Sequence, residues 1–185
     1  VRSGFRSGGI AVDPGGNVVR FVSDKLYTGE AGLRFGHSGG PLSGNAAFSY
    51  ARWRSIQADL LDSSGFPVTA NIGNGHVFGI SADLAWRPVS TLLVEGAVFA
   101  NRSSLDNPAV QLAGLNETAL PNVPRYGARI SARYSQPLSA KMTLVLDGSA
   151  HYRSGSNVGT VPPLLLEQGE YLEAGLGAAL DAGSW

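Results

Sequence analysis

At 185 residues, with 14 basic and 14 acidic side chains, no cysteine, 25 glycines and 10 prolines, the chain has single-domain length and no net charge. Neutral balance and the lack of any basic run exclude the phosphate-reading surfaces of nucleic-acid binders and polybasic membrane tethers, and zero cysteine excludes disulfides, thiolate catalysis and Cys-ligated zinc. Only 15% of residues are charged, below the roughly 25–35% of a soluble surface, yet no apolar run reaches about 18 residues, so an apolar exterior has to be built from strands. Val1 is not an initiator, no export leader follows it, and the chain stops at Asp181-Ala-Gly-Ser-Trp185 without a terminal strand. A fragment of a longer protein is therefore expected.

Period-2 alternation is the dominant pattern along the chain, and no 11-residue window reads as an amphipathic helix. Arg2 to Ile10 reads as a strand. From Tyr27 to Gly36 one parity is apolar or small (Tyr27, Gly29, Ala31, Leu33, Phe35) and the other carries Thr28, Glu30 and Arg34. Ala46 to Leu60 is a rougher strand, in which Phe48 and Tyr50 share a parity with Arg52 and Arg54; those arginines are expected past the apolar band. His76 to Arg87 sets Phe78, Ile80, Ala82, Leu84 and Trp86 against Ser81, Asp83 and Arg87. Further on, Leu92, Val94, Val98 and Ala100 oppose Glu95 and Asn101, and Tyr126, Ala128, Ile130, Ala132 and Tyr134 oppose Arg129, Ser131 and Arg133. Met142, Leu144, Leu146, Ala150 and Tyr152 oppose Asp147, His151 and Arg153. Last, Leu172, Ala174, Leu176, Ala178 and Leu180 oppose Glu173 and Asp181. Every charge in the six cleaner stretches falls on the polar parity, as the charge-excluding lipid face of a barrel requires.

Connection lengths alternate. Arg87 to Thr91, Gln136 to Lys141 and His37 to Gly44 are short, whereas Ala11 to Asp24, Asp62 to Gly75, Arg102 to Arg125 and Ser154 to Gly169 are long and polar. Compact soluble domains rarely carry several structureless loops beyond about 12–15 residues, while outer-membrane barrels put short turns on one rim and long loops on the other. About ten residues at roughly 3.3 Å each, tilted about 45°, cover roughly 23 Å, the height such a barrel needs. Trp86 beside a short turn, with Tyr126 and Tyr152 at the long-loop ends, matches the two interfacial girdles. The expected fold is all-β: the wall of an antiparallel up-and-down transmembrane β-barrel, about eight strands forming a partial barrel, with short periplasmic turns and long extracellular loops.

Catalytic motifs do not survive inspection. Gly36-His37-Ser38-Gly39-Gly40-Pro41-Leu42 resembles the nucleophile signature of chymotrypsin-like proteases, but His37 replaces its acid and no other histidine precedes Ser38; a turn explains the glycines and proline. His37, His76 and His151 lack ligand spacing, so no metal site is expected. Asn74 to Gly79 is glycine-rich without a helix to cradle phosphate. Asn101-Arg-Ser103 and Asn116-Glu-Thr118 match glycosylation acceptors only formally. What remains is the polar parity: Glu30, Arg34, Asp83, Glu95, Arg129, Arg133, Asp147, His151, Arg153 and Glu173 are read as lumen-facing, hydrated or paired with one another, or touching a plug or a passing solute.

The landmarks Gly4-Phe5-Arg6-Ser7-Gly8-Gly9, Leu26-Tyr27-Thr28-Gly29-Glu30-Ala31-Gly32-Leu33-Arg34, Tyr50-Ala-Arg-Trp-Arg-Ser-Ile-Gln57, Asn71-Ile-Gly-Asn74, Gly79-Ile-Ser-Ala-Asp83 and Trp86-Arg-Pro88 resemble, in order and spacing, the C-terminal part of the β-barrel domain of TonB-dependent receptors. Thr28-Gly29 departs from the usual Tyr-Glu pairing, and Asp83 stands where Glu is common. The resemblance implies that residues 1–185 are a fragment of a barrel of about 22 strands in the bacterial cell outer membrane, without its plug domain. It also implies import of a scarce solute such as a ferric siderophore, cobalamin or glycan, with no enzymatic step and no cofactor. The implied partners are outer-membrane lipid, the plug and remaining strands of the parent chain, the TonB complex acting through that plug, and a small-molecule ligand; nucleic acid is not among them. Two rivals stand beside it: a self-contained eight-stranded outer-membrane barrel with a structural or adhesive role, and a soluble β-sandwich binding module, which the low lysine content and apolar outer parity oppose.

Overall fold

The computed structural model of the protein describes residues 1–12, 15–61, 65–108, 120–159 and 166–182, and contains strands but no helix among them. Eight strands form one antiparallel sheet: β1 (Arg2–Arg6), β4 (Asp24–Phe35), β5 (Leu42–Leu61), β6 (Pro67–Val89), β7 (Leu92–Asp106), β8 (Tyr126–Ser139), β9 (Met142–Arg153) and β12 (Tyr171–Asp181). Two small ribbons complete it, β2 (Gly9–Val12) with β3 (Val18–Phe21) and β10 (Ser156–Asn157) with β11 (Glu167–Gln168). The large sheet follows chain order, and β1 and β12 stand at its two edges without pairing to each other. This is an open up-and-down wall, a partial barrel.

The three short turns share one rim. Between β4 and β5, Gly36 and Gly39 take left-handed φ values of 69° and 88°, and a Cβ on Gly36 would lie 2.2 Å from the Leu42 carbonyl. The Gly40 amide donates to the His37 carbonyl at 3.0 Å. The protease-like heptapeptide is thus a turn, and its His37 ring faces the Ser38 carbonyl at 3.2 Å. The other two turns close on the pairs Val89↔Leu92 and Ser139↔Met142.

Pairing registers join the separately read alternations into one surface. Leu33 pairs with Ala46, Ala46 with Ala82, Ala82 with Val98, Val98 with Ala128, Ala128 with Tyr152 and Tyr152 with Leu172. Directly opposed residues of a sheet project to the same side, so every apolar parity read from the sequence lands on a single face. That face is bare: Ile80 is 60% exposed, Leu176 94%. A soluble sandwich would cover it with a second sheet, and none is present among the described residues.

Several boundaries differ from expectation. The strand expected over Arg2 to Ile10 breaks at Ser7–Gly8, because a Cβ on Gly8 would sit 2.5 Å from the Phe21 carbonyl and the chain there folds into the β2–β3 ribbon. The expected loop Ala11 to Asp24 therefore contains a strand of that ribbon. Pro67 to Gly75 and Arg102 to Asp106, also expected as loop, extend β6 and β7, and the loop Ser154 to Gly169 holds the β10–β11 ribbon. Asn116-Glu-Thr118 lies outside the described residues.

Candidate functional site

The ten polar residues singled out in the sequence all occupy the face opposite the apolar one. Their registers form a row across seven strands: Arg34, Asn45, Asp83, Ala97, Arg129, His151 and Glu173 oppose one another in succession. Charges of both signs alternate along it. Two rows nearer the short turns, Arg133 stands directly opposite Asp147, and Asp147 crowds Gly177, whose Cβ would lie 2.6 Å from the carboxylate. Glu30 opposes Ser49, Glu95 opposes Ser131, and Arg153 lies between Gly127 and Tyr171. The His151 ring meets Tyr171 edge-on at 5.6 Å. Opposite charges at cross-strand positions attract at about 0.2–1 kcal/mol per pair, so over the wall this face is polar and mixed in sign.

At the long-loop end the same face closes over a small core. Ile56, Ile72, Leu105 and Leu120 are 1–6% exposed, and Trp53, Val77 and Val123 pack against them. The family landmarks build this cluster. At a bulge in β5, Ser55 takes φ 52° and Gly73, opposite Ile56, takes φ 133°, and the register slips between Trp53 and Gln57. Backbone groups that lose ladder partners at a bulge need others. Asn74 Oδ1 accepts from the Ser55 amide at 2.9 Å, and Asn71 Nδ2 donates to the Ser55 carbonyl at 2.6 Å. Gly75 leaves room for Ile56 and Leu120, whose side chains would lie 3.0 and 3.2 Å from a Cβ there.

Polar ties bind distant segments to the cluster. Gln57 Nε2 donates to the Ser7 and Val22 carbonyls at 2.9 and 3.0 Å, and Asn71 both accepts from the Val22 amide and donates to its carbonyl. Buried Asp24 pairs with Arg6, whose guanidinium also reaches the Gln57 carbonyl at 2.8 Å and lies over the Trp53 ring. Burial pushes the Asp24 carboxyl up, but Arg6 and the Trp53 hydrogen bond outweigh it and hold the group below its ordinary value. Asp106 accepts from His76 Nδ1 at 2.9 Å and from Arg52 at 2.7 Å. The His76 hydrogen bond, helped by the Arg52 charge and opposed by burial, holds its carboxyl below the ordinary value too.

Beside this core, where pairing of β7 with β8 ends, lies a polar hollow of about 730 Å³. Asn101, Ser103, Arg125, Ser154, Glu167 and Glu170 are among its lining residues. The Leu120 amide donates to Ser103 Oγ at 3.1 Å and ties Leu120 to β7. Asn101 and Ser103 belong to β7, Asn101 on the polar parity already read from the sequence; Arg125, Ser154, Glu167 and Glu170 were not singled out because they stand in or beside connections that carry no alternation. The hollow offers cations and carboxylates together, a lining suited to hydrogen-bonding a polar solute. Among the described residues no group of three His, Cys, Asp or Glu is placed to hold a metal ion.

The three singled-out aromatics stand at opposite rims of the apolar face. Trp86 pairs with Leu42 and Val94 beside the short turns. Tyr126 and Tyr152 stack at 5.9 Å at the other end, where Tyr152 also donates to Glu170 at 2.5 Å. Tyr50, Phe78 and His76 join that end, with Tyr50 and Phe78 centroids 4.8 Å apart.

Residues 6–182 match the family described as TonB dependent receptor-like, beta-barrel. Among solved structures the chain is similar to the ferric yersiniabactin uptake receptor FyuA from Yersinia pestis, at 20% identity and a TM-score of 0.65 over 96% of this chain and 26% of that one. It is also similar to BauA, the ferric preacinetobactin receptor from Acinetobacter baumannii, at 18% identity and a TM-score of 0.68 over 98% and 26%. The chain thus spans about a quarter of the length of these structures, and at such identities the likeness is one of fold. No curated protein sequence matches the chain.

Proposed function

This chain belongs to the TonB-dependent receptor β-barrel family, and from that premise we propose that it forms one stretch of wall and outer loops in an energy-coupled outer-membrane importer of a scarce solute, a ferric siderophore first among candidates. Its apolar face meets lipid and its polar face lines the lumen. The parent chain supplies the plug and the remaining strands, and the TonB complex acts through that plug. The loop-end hollow between Arg125 and Glu170 is where a solute first engages, and the alternating row from Arg34 to Glu173 is the hydrated surface along which it and the plug move. No covalent step is required of any of these residues.

One observation carries this reading: alternations read strand by strand coincide on one continuous bare apolar face, which carries charged groups only at its long-loop rim. In water such a face is untenable; in lipid it is the stable arrangement. The similar solved structures are receptors for ferric yersiniabactin and ferric preacinetobactin, which favours ferric siderophores over cobalamin and glycans. The unpaired edges of β1 and β12 count against a self-contained eight-stranded barrel, since lipid tolerates no open edge.

The test is a titration of the intact, folded receptor purified from outer membranes with ferric siderophores, cobalamin and oligosaccharides. Binding of one class, weakened about tenfold or more by Arg125→Ala with Glu170→Ala, is the expected result. A correctly folded receptor that binds none of the three classes sinks the proposal.

A further inference from the structure

One strand of the polar face carries its charges at a fixed interval. Arg125 lines the hollow one residue before β8, and Arg129 and Arg133 follow at steps of four. An even step keeps a strand residue on one face, so Arg129 and Arg133 share the polar side, with Gly127, Ser131 and Ser135 filling the alternate places. Four residues at roughly 3.3 Å each set successive rungs roughly 13 Å apart. The column leads from the loop-end hollow toward the short turns.

Stability does not call for these charges. A water-facing strand needs only polarity, which serine supplies at Ser131, at Ser135 and, on β9, at Ser149. A cation contributes to a sheet by pairing with a cross-strand carboxylate, yet among the described residues none of Arg125, Arg129, Arg133 and Arg153 has a hydrogen bond or ion pair. Arg129 is flanked by Ala97 and His151, and Arg153 stands opposite Gly127. Carboxylates are present but unbonded to the column: Glu95 opposes Ser131, Asp147 opposes Arg133, and Glu173 lies beyond His151. In the hollow, Glu170 accepts from the Tyr152 hydroxyl instead of Arg125. Arg125, Arg129 and Arg133 are all exposed, so their guanidinium groups stand free for a visitor.

Spacing says what kind of visitor fits. The Debye length at physiological ionic strength is about 8 Å. Rungs roughly 13 Å apart therefore repel one another little, whereas an anion moving down the column is never more than about 7 Å along the strand from one of them. Its attraction is handed from rung to rung without a gap. Arginines lining a passage in this way select anions.

The geometry points to an anion-guiding column on β8: Arg125 receives a negatively charged solute at the hollow, and Arg129, with Arg153 beside it, and then Arg133 pass it down the lumen wall. This rests on the import reading above and narrows its solute to one carrying net negative charge. The test follows uptake, by cells bearing the intact receptor, of two ferric chelates of similar size, a trianionic tris-catecholate and a neutral trihydroxamate. Faster uptake of the trianionic chelate is expected, cut about fivefold by Arg129→Gln and again by Arg133→Gln while its affinity at the cell surface is kept. Arg129→Lys and Arg133→Lys, which preserve charge, should keep the rate. Asp147→Asn, which removes the carboxylate opposite Arg133, should raise it, a gain that a misfolded variant could not show. Equal loss for both chelates in the glutamine variants, or no loss for the trianionic one, overturns the inference. Uptake of the neutral chelate alone defeats this inference and leaves the import reading standing; uptake of neither by a receptor that reaches the membrane folded defeats both.

Discussion

The wall and the loop-end cluster are made from the same strands, yet they are held by opposite means. From Phe35 to Tyr27 and across to β12 the sheet has two bare faces, its ladder carries the structure, and its apolar side chains wait for a lipid solvent. Beyond the bulge at Ser55 the same β5 and β6 enclose Ile56 and Ile72 in a dry core, and side-chain amides replace the missing ladder bonds. Stability in the wall therefore comes from outside the chain and in the cluster from inside it. Segments at that end are ordered by protein contacts alone, which suits the water-facing mouth proposed for them.

Four perturbations of the intact receptor probe that contrast, from the largest effect downward. Ile72→Ala removes the center of the dry core and should cost about 2–5 kcal/mol, confined to the loop end: hydrogen exchange should quicken over residues 53–60 and 70–77 and stay unchanged in β8, β9 and β12. Equal loss in those wall strands would break the distinction. In the wall, Ala82→Arg on the apolar face should cost about 2–4 kcal/mol of unfolding free energy in lipid vesicles, whereas Ser81→Arg on the polar face should cost little; similar costs would mean the faces are assigned wrongly. Gln57→Ala strands the Ser7 carbonyl and leaves the Val22 carbonyl with Asn71 alone, at a cost of about 1–3 kcal/mol, read as faster proteolysis within the β2–β3 ribbon.

Acid should act most gently and only on the cluster. Asp24 and Asp106 have folded pKa values lowered from the ordinary one, so their stabilisation is complete above the unfolded value, about pH 4, and fades as pH falls through the lower folded values. The loop end should hold from pH 7 to 5 and loosen below pH 4, while the backbone ladder of the wall, which has no titrating group, stays paired. Hydrogen exchange compared between the two regions across that range checks it, and a transition above pH 5 would assign the ties to other groups.

Alternation made the wall legible. A side chain's parity in a strand decides its face, and Tyr126 to Tyr134 or Leu172 to Leu180 could be read with no knowledge of their neighbours. The landmark residues Trp53, Ile56, Gln57, Asn71 and Asn74 were visible as a pattern, but their work was not, since it depends on contacts such as Gln57 to Val22, 35 residues away, and Asn71 to Val22, 49 away. The β2–β3 ribbon stayed hidden because only its packing under Gly8 turns the chain there.

The sequence by itself determined that this chain is a two-faced antiparallel wall with its short turns on one rim, because period-2 patterning and turn chemistry are local. Tertiary structure alone decided what stands beside what. The register of β4 on β5 sets Lys25 against Arg54, the bulge at Ser55 places Ile56 against Ile72 and Leu120, and Asp106 reaches Arg52 across two strands. Such neighbours are chosen by pairing between segments far apart in the chain, a choice that no local pattern encodes.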